Sequence, residues 1–107
     1  MTQKEFILSL SDLFDNITKK FQLKGKEYAT DFSVFQNFDI GSRITGLPPE
    51  IVLDGYLTKH YVSYRDMLDG ICVGEHPSKE LIDEKLGDII LYFILQKIMM
   101  ENKPLPF

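Results

Sequence analysis

Three carboxylates in the stretch ELIDEKLGD are spaced so that they can act together. Glu80, Glu84 and Asp88 follow each other at intervals of four, so at about 3.6 residues per helical turn they lie along one stripe of a helix. Leu91, Leu95 and Ile98 continue the same stripe. Carboxylates on an inward face lose solvation free energy unless a cation, a basic partner or water compensates them. The spacing therefore predicts a bound cation or a paired acidic cluster.

A divalent metal ion is one way to satisfy these acids. Mg²⁺ takes oxygen ligands and keeps waters that can bridge to phosphates. Glu27 and Asp31 are also four residues apart, and we expect them to face Glu84 and Asp88 across a cleft and to share one Mg²⁺. In an enzyme, Glu84, Asp88 and Glu80 would be the catalytic acids. The alternative is that the stripe is solvated and paired to lysines, as charged helix faces commonly are.

Five further residues are candidates for nucleotide contacts. His60 is a hydrogen-bonded core histidine, an acid/base or a phosphate contact. Asn37 is either a capping amide or a group that reads a base edge. Lys24 and Lys59 either meet phosphate oxygens or face solvent. Tyr28 belongs to an aromatic surplus that forms either core or a base-stacking surface.

Composition indicates one globular domain covering residues 1–107. The chain is 44% hydrophobic and 26% charged, which suits a single core. Its net charge is −4 and its basic residues are scattered, which argues against duplex nucleic acid or an anionic membrane as a partner. We expect a cytoplasmic protein, because the single Cys72 suits a reducing compartment and the amino-terminal stretch reads as an amphipathic helix without a signal-peptide cleavage site.

Helical periodicity predicts four helices and an all-α fold. The first begins with a capping box of Thr2 and Glu5 and ends near Gly25. The second is shorter and aromatic, and we expect breaks around Gly41 and Gly46.

The third and fourth helices are marked by prolines and by a serine cap. The third begins in GLPPE and should bury one face. That face is formed by Leu53, Leu57, Tyr61, Tyr64, Leu68 and Ile71. The fourth begins at the N-cap Ser78 and is apolar around most of its circumference from Ile89 to Met99. This predicts a homo-oligomer, a dimer or tetramer, in which the C-terminal helix packs against its copy.

The motifs also resemble a known family. ELIDEKLGD leading into IILYFIL resembles the last active-site helix of the MazG-like all-α nucleoside triphosphate pyrophosphohydrolases. KGKEYA, QNF, TKH followed by Arg65-Asp66-Met67, and EKLGD with an aromatic residue four positions on are similar to small phage-encoded MazG-like proteins associated with nucleotide modification. The resemblance spans about Lys24 to Glu101, and Lys85 stands where the pattern has an acid.

The resemblance implies an oligomeric helical bundle that binds Mg²⁺ and cleaves a nucleoside triphosphate to the monophosphate and pyrophosphate. By position, Glu84 and Asp88 correspond to the metal ligands, with Glu80 in support, and Glu27 and Asp31 to the opposing acids. Two other functions stay open. One is a nucleotide-binding protein without turnover, and the other is a helical interaction or inhibitor module that uses the tail at residues 103–107 for docking.

Overall fold

The architecture is helical throughout the part of the chain that can be described. A computed structural model describes residues 1–25 and 33–102. Within these ranges the helices are α1 (Gln3–Gly25), α2 (Gln36–Thr45), α3 (Pro49–Cys72) and α4 (Lys79–Glu101). No strand occurs in either range, so the prediction of an all-α fold with four helices is confirmed. The chain divides into two compact units, Met1–Ser33 and Val34–Phe107.

The first unit contains α1, whose start is fixed by the predicted capping box. The Glu5 backbone N–H donates to Thr2 Oγ1 at 3.1 Å, and the Thr2 N–H donates to Glu5 Oε2 at 2.9 Å. Each side chain thereby satisfies an amide that the helix cannot pair internally. The helix ends at Gly25, as the sequence predicts.

The core of the second unit is built from all three of its helices. Phe38 from α2, Leu53 from α3 and Met99 from α4 are buried together. Phe35, Val52, Tyr92 and Leu95 pack around them. The amide of Gln96 on α4 donates a hydrogen bond of 3.0 Å to the backbone carbonyl of Glu50, which ties α4 to the first turn of α3.

The predicted break at Gly41 is wrong, whereas the one at Gly46 is confirmed. Helix α2 runs through Gly41 to Thr45 and ends at Gly46, whose φ of 75° is left-handed. A Cβ on Gly41 would lie 2.7 Å from Val52 Cγ1, so this glycine allows α2 and α3 to approach each other closely. The sequence signal for flexibility at Gly41 is therefore a signal for close packing.

Helix α3 begins at the prolines, and its predicted buried face is confirmed only in part, with Tyr64 and Leu68 half-buried. Pro48 is the N-cap and Pro49 the first helical residue, where a missing N–H costs nothing. Leu53 and Leu57 are buried as predicted, whereas Tyr61 and Ile71 are 49% and 47% exposed. A stripe of four-residue steps drifts about 40° per step around a helix, and this drift carries Tyr61 away from the neighbouring helix.

Helix α4 starts at the predicted cap and is unevenly buried. The Leu81 backbone N–H donates to Ser78 Oγ at 3.2 Å. Within the chain Ile89 and Met99 are buried, but Phe93 is 56% exposed. None of the helices in the described ranges combines the length and the apolar content that crossing a bilayer requires.

Candidate functional site

The face of α4 that meets α3 follows alternating steps of four and three residues. Tyr92, Leu95 and Met99 pack in or against the core, and Asp88 and Tyr92 both approach His60 on α3. Continued backward, the same steps lead to Lys85 and Leu81, which line a cavity with residues of α3. These alternating steps hold a constant face on a helix, because they average close to 3.6 residues per turn.

This spacing decides which carboxylate lies inside. Steps of four rotate by about 40° each, so the stripe of Glu80, Glu84 and Asp88 crosses the contact face obliquely and joins it at Asp88. The Asp88 side chain is 16% exposed and the Glu84 side chain 62% exposed. Glu80 is also exposed. Glu84 also forms an ion pair with Lys85, the next residue along the helix, whose Nζ lies 4.0 Å from Glu84 Oε1.

Asp88 faces the imidazole of His60. Their closest atoms, His60 Nδ1 and Asp88 Oδ2, are 3.8 Å apart, a distance for an ion pair but too long for a hydrogen bond. The imidazole ring lies 4.9 Å from the Tyr92 ring at an interplanar angle of 33°. His60 is thus held between a carboxylate and an aromatic ring, with 27% of its side chain still exposed.

Two tyrosines and a phenylalanine continue this cluster. Phe38, which is 6% exposed, meets Tyr56 edge-on at 5.5 Å and 83° and Tyr92 at 6.4 Å and 73°. Burial raises the pKa of Tyr92 above its ordinary value, and the charge of Asp88 and the neighbouring Tyr56 raise it further. The Tyr92 hydroxyl, protonated at neutral pH as any tyrosine is, thus holds its proton to a more alkaline pH than usual and can donate a hydrogen bond.

An open cavity adjoins this cluster. Its volume is about 470 Å³, and it is widely open to solvent. Two acidic residues line it, Asp66 and Glu75, so a phosphate in it would need a cation beside Lys85. The full lining, from the later part of α3, the following turn and the start of α4, is Ser63, Asp66, Met67, Gly70, Glu75, His76, Pro77, Ser78, Leu81 and Lys85. Ser63 lies one turn after His60 along α3, and Lys85 one turn before Asp88 along α4, so the cavity lies about one helical turn from the His60–Asp88 pair, which does not line it.

The other predicted site residues are dispersed or cannot be placed. Lys59 and Asn37 are exposed, and α2 has no side-chain cap of the kind considered for Asn37. Glu27, Tyr28 and Asp31 lie outside the described residues, as does the tail at residues 103–107. Lys24 falls in the last turn of α1, where only the backbone is described. The expected approach of Glu27 or Asp31 to Glu84 and Asp88 stays a prediction.

The described residues alone do not form a metal centre. No group of three or more His, Cys, Asp or Glu side chains within residues 1–25 and 33–102 is arranged to hold an ion. Of the four predicted ligands, Glu84 and Asp88 are described, and they differ in burial as given above.

Sequence reasoning missed three residues of the cluster as functional candidates. In the sequence Tyr56 and Tyr92 belong to the general aromatic surplus, and Lys85 is a departure from an acidic pattern. The alternation of four and three residues from Leu81 to Met99 was the available signal. It predicts that Lys85 and Tyr92 share a face with Asp88.

No protein-family model, curated protein or solved structure matches the chain. The likeness of its motifs to the MazG-like hydrolases therefore stays a prediction from the sequence.

Proposed function

We propose that this protein binds a nucleotide at the face shared by α3 and α4, with Asp88 and His60 at the centre of the site. The observation that carries the proposal is the pairing of the largely buried Asp88 carboxylate with His60, at 3.8 Å, beside an open cavity. A carboxylate and an imidazole placed side by side near a cavity can serve as a metal ligand and as an acid or base. The acidic motif ELIDEKLGD supports a phosphate-bearing ligand accompanied by Mg²⁺.

The activity that we propose is hydrolysis of a nucleoside triphosphate to its monophosphate and pyrophosphate. Glu84 and Asp88 are the described residues able to contact Mg²⁺, which supplies charge neutralisation to the phosphates when it is bound. Lys85 offers a cation on the cavity wall, and His60 offers an imidazole next to Asp88. Binding without turnover uses the same residues and is the alternative within this proposal.

A panel of ribo- and deoxyribonucleoside triphosphates tests both forms of the proposal. Each nucleotide is incubated with the protein and Mg²⁺, and both pyrophosphate release and thermal stabilisation are measured, with Mg²⁺ alone and tripolyphosphate as controls. Release of pyrophosphate is the result expected for the hydrolase, and stabilisation without release is the result for a binding protein. If no nucleotide gives either signal, the proposal is wrong and a function by protein contact is favoured.

We also propose that the chain forms a homo-oligomer through α4. Phe93 and Met100 are 56% and 58% exposed and lie seven residues apart, so they share one side of the helix. Large apolar side chains grouped on one face are typical of subunit interfaces. A cytoplasmic location is part of the same proposal, because Cys72 is an exposed free thiol, which suits a reducing compartment.

A further inference from the structure

The rings around His60 form a surface with a fixed geometry. Phe38 is 6% exposed and touches the rings of both Tyr56 and Tyr92 edge-on. Edge-to-face contacts favour one relative orientation of the rings, so Phe38 holds the two tyrosines from below. His60 then lies tilted by 33° against Tyr92. Three helices thus contribute to one set of rings.

This set of rings is not closed off from solvent as a core would be. Tyr56 is 47% exposed, and 27% of the His60 side chain is exposed. Tyr92 is intermediate between buried and exposed. Rings that are fixed on one side and accessible on the other can stack a planar ligand without first losing conformational freedom.

The polar groups of the site lie on one side of the rings. Tyr56 precedes His60 by one turn of α3, whereas Asp88 and Lys85 lead away from Tyr92 toward the start of α4. Lys85 and Tyr92 are seven residues apart, or about 10 Å along the helix. A nucleotide has the same division, with an aromatic base at one end and anionic phosphates at the other, over a comparable length.

We propose that Tyr56, His60 and Tyr92 form the surface on which the base of the nucleotide stacks, with the phosphates directed toward Lys85 and the cavity. This inference rests on the proposed function, since it assigns the two ends of a nucleotide within the same site. Stacking on aromatic rings tolerates every base, because each has a π face. The site therefore selects for a base linked to phosphates more than for one particular base.

A matched pair of tyrosines provides the test. Tyr61 is on the same helix, is 49% exposed and also contacts a ring, that of Tyr64 at 5.8 Å. It directly follows His60 in the sequence, so its side chain leaves the helix about 100° around the axis from that of His60. Isothermal titration calorimetry is run with Mg-ATP, adenosine and tripolyphosphate on the wild type and on Tyr56→Leu, Tyr56→Phe and Tyr61→Leu. Circular dichroism melting checks that each variant is folded.

We expect Tyr56→Leu to weaken Mg-ATP and adenosine binding about tenfold or more, the loss typical of one stacked base. Tyr56→Phe and Tyr61→Leu should bind as the wild type does, and tripolyphosphate should bind all four proteins equally. If Tyr56→Leu binds Mg-ATP as tightly as Tyr61→Leu does, or loses tripolyphosphate to the same extent, the inference is overturned and nucleotide binding itself stands. If the wild type binds none of the three ligands, the proposed function fails and the inference fails with it.

A second measurement covers the case in which Tyr56→Leu does not fold. Ring-proton resonances of Tyr56 and Tyr92 in the wild type should move upfield on addition of adenosine, because a stacked base shields them. Those of Tyr61 should stay in place. Equal or absent movement at the three tyrosines overturns the inference.

Discussion

Asp88 is the residue whose surroundings carry most of the proposed chemistry. Its side chain is 16% exposed, and it lies beside both His60 and Tyr92. Asp88 immediately precedes the apolar part of α4 in the sequence, which agrees with its being the least exposed of the three acids. The sequence did not predict His60 as its neighbour, since a contact between two helices depends on how they rotate against each other.

The substitution Asp88→Asn separates a binding role from a structural one. It removes a charge that desolvation disfavours, and it weakens the attraction for His60 and for a cationic ligand. We expect the free energy of unfolding to change by no more than about 1 kcal/mol, the size of one ordinary polar contact. Mg-nucleotide binding, measured by calorimetry, should be lost.

Glu80→Gln is the matched control for this substitution. Glu80 carries the same charge on the same helix but is exposed in the first turn. We expect it to leave nucleotide binding and stability close to those of the wild type. If Asp88→Asn instead lowers stability and leaves nucleotide affinity unchanged, the carboxylate is a structural partner of His60.

The pKa of Tyr92 should respond to the negative charge of Asp88. Its pKa is raised above 10.0, first by burial, then by the charge of Asp88 and by Tyr56. In an ultraviolet titration we expect a tyrosinate signal above the ordinary tyrosine range that Tyr92→Phe removes. Asp88→Asn should lower this pKa only in part, because burial remains the larger cause.

The raised pKa also fixes the direction of a stability change. The folded protein holds the Tyr92 proton more tightly than the unfolded chain does, so the contribution is complete below the unfolded pKa and is lost as the pH rises through the folded one. In alkaline denaturation, Tyr92→Phe should therefore lose less stability above pH 10 than the wild type. An equal loss in both proteins would contradict the assignment to Tyr92.

For the helices, sequence patterns predicted where they begin and end better than which face they bury. The capping box at Thr2 and the cap at Ser78 are local signals, formed by residues within one turn of each other, and both are present. The buried faces depend on partners distant in sequence. Tyr61 looks internal from its spacing to Leu57 and Tyr64, but the residue of α3 that meets Asp88 and Tyr92 is His60, one position earlier.

The close approach of α2 to α3 can be tested by replacing two glycines with alanine, because the two substitutions should change stability in opposite directions. An alanine Cβ at Gly41 would meet Val52 Cγ1 at 2.7 Å, whereas at Gly55 in α3 nothing lies within 4 Å. Overpacking costs about 1–3 kcal/mol, and replacing a helical glycine with alanine gains up to about 1 kcal/mol. We expect urea denaturation to find Gly41→Ala less stable than the wild type and Gly55→Ala more stable by about 0.5–1 kcal/mol.

A double variant that also shortens Val52 tests whether a collision with this side chain causes the loss of stability in Gly41→Ala. If the two side chains collide, the loss in the double variant Gly41→Ala/Val52→Ala should be smaller than the sum of the losses in the single variants. Additive losses, or a Gly41→Ala variant as stable as Gly55→Ala, would show that the helices do not pack as closely as described.

At the scale of the whole molecule, α4 carries apolar side chains that the other described residues leave exposed. Phe93 remains 56% exposed although it lies in the middle of the helix. The sequence predicted this surplus from the run IILYFIL, but a sequence pattern cannot tell whether the chain itself or a copy covers it.

Replacing Phe93 should therefore change the state of assembly. We expect the wild type to be at least a dimer by light scattering at micromolar concentration, and Phe93→Lys to shift it toward monomer, because a buried lysine at an interface is costly. Ile44→Lys is the control, since Ile44 is 79% exposed but lies on α2. A monomeric wild type, or an equal shift in both variants, would rule out assembly through this side of α4.

Amide NMR of the isotope-labelled protein during titration with Mg-ATP locates the nucleotide most directly. We expect the largest chemical-shift changes in α3 from Tyr56 to Met67 and in α4 from Lys85 to Tyr92. These two stretches contain Tyr56, Tyr92 and the His60–Asp88 pair, and they contribute residues to the wall of the cavity. Mg²⁺ alone should leave the amide chemical shifts of Tyr56, His60 and Tyr92 unchanged. No shifts at saturating nucleotide, or changes confined to α1, would contradict nucleotide binding at the α3–α4 face.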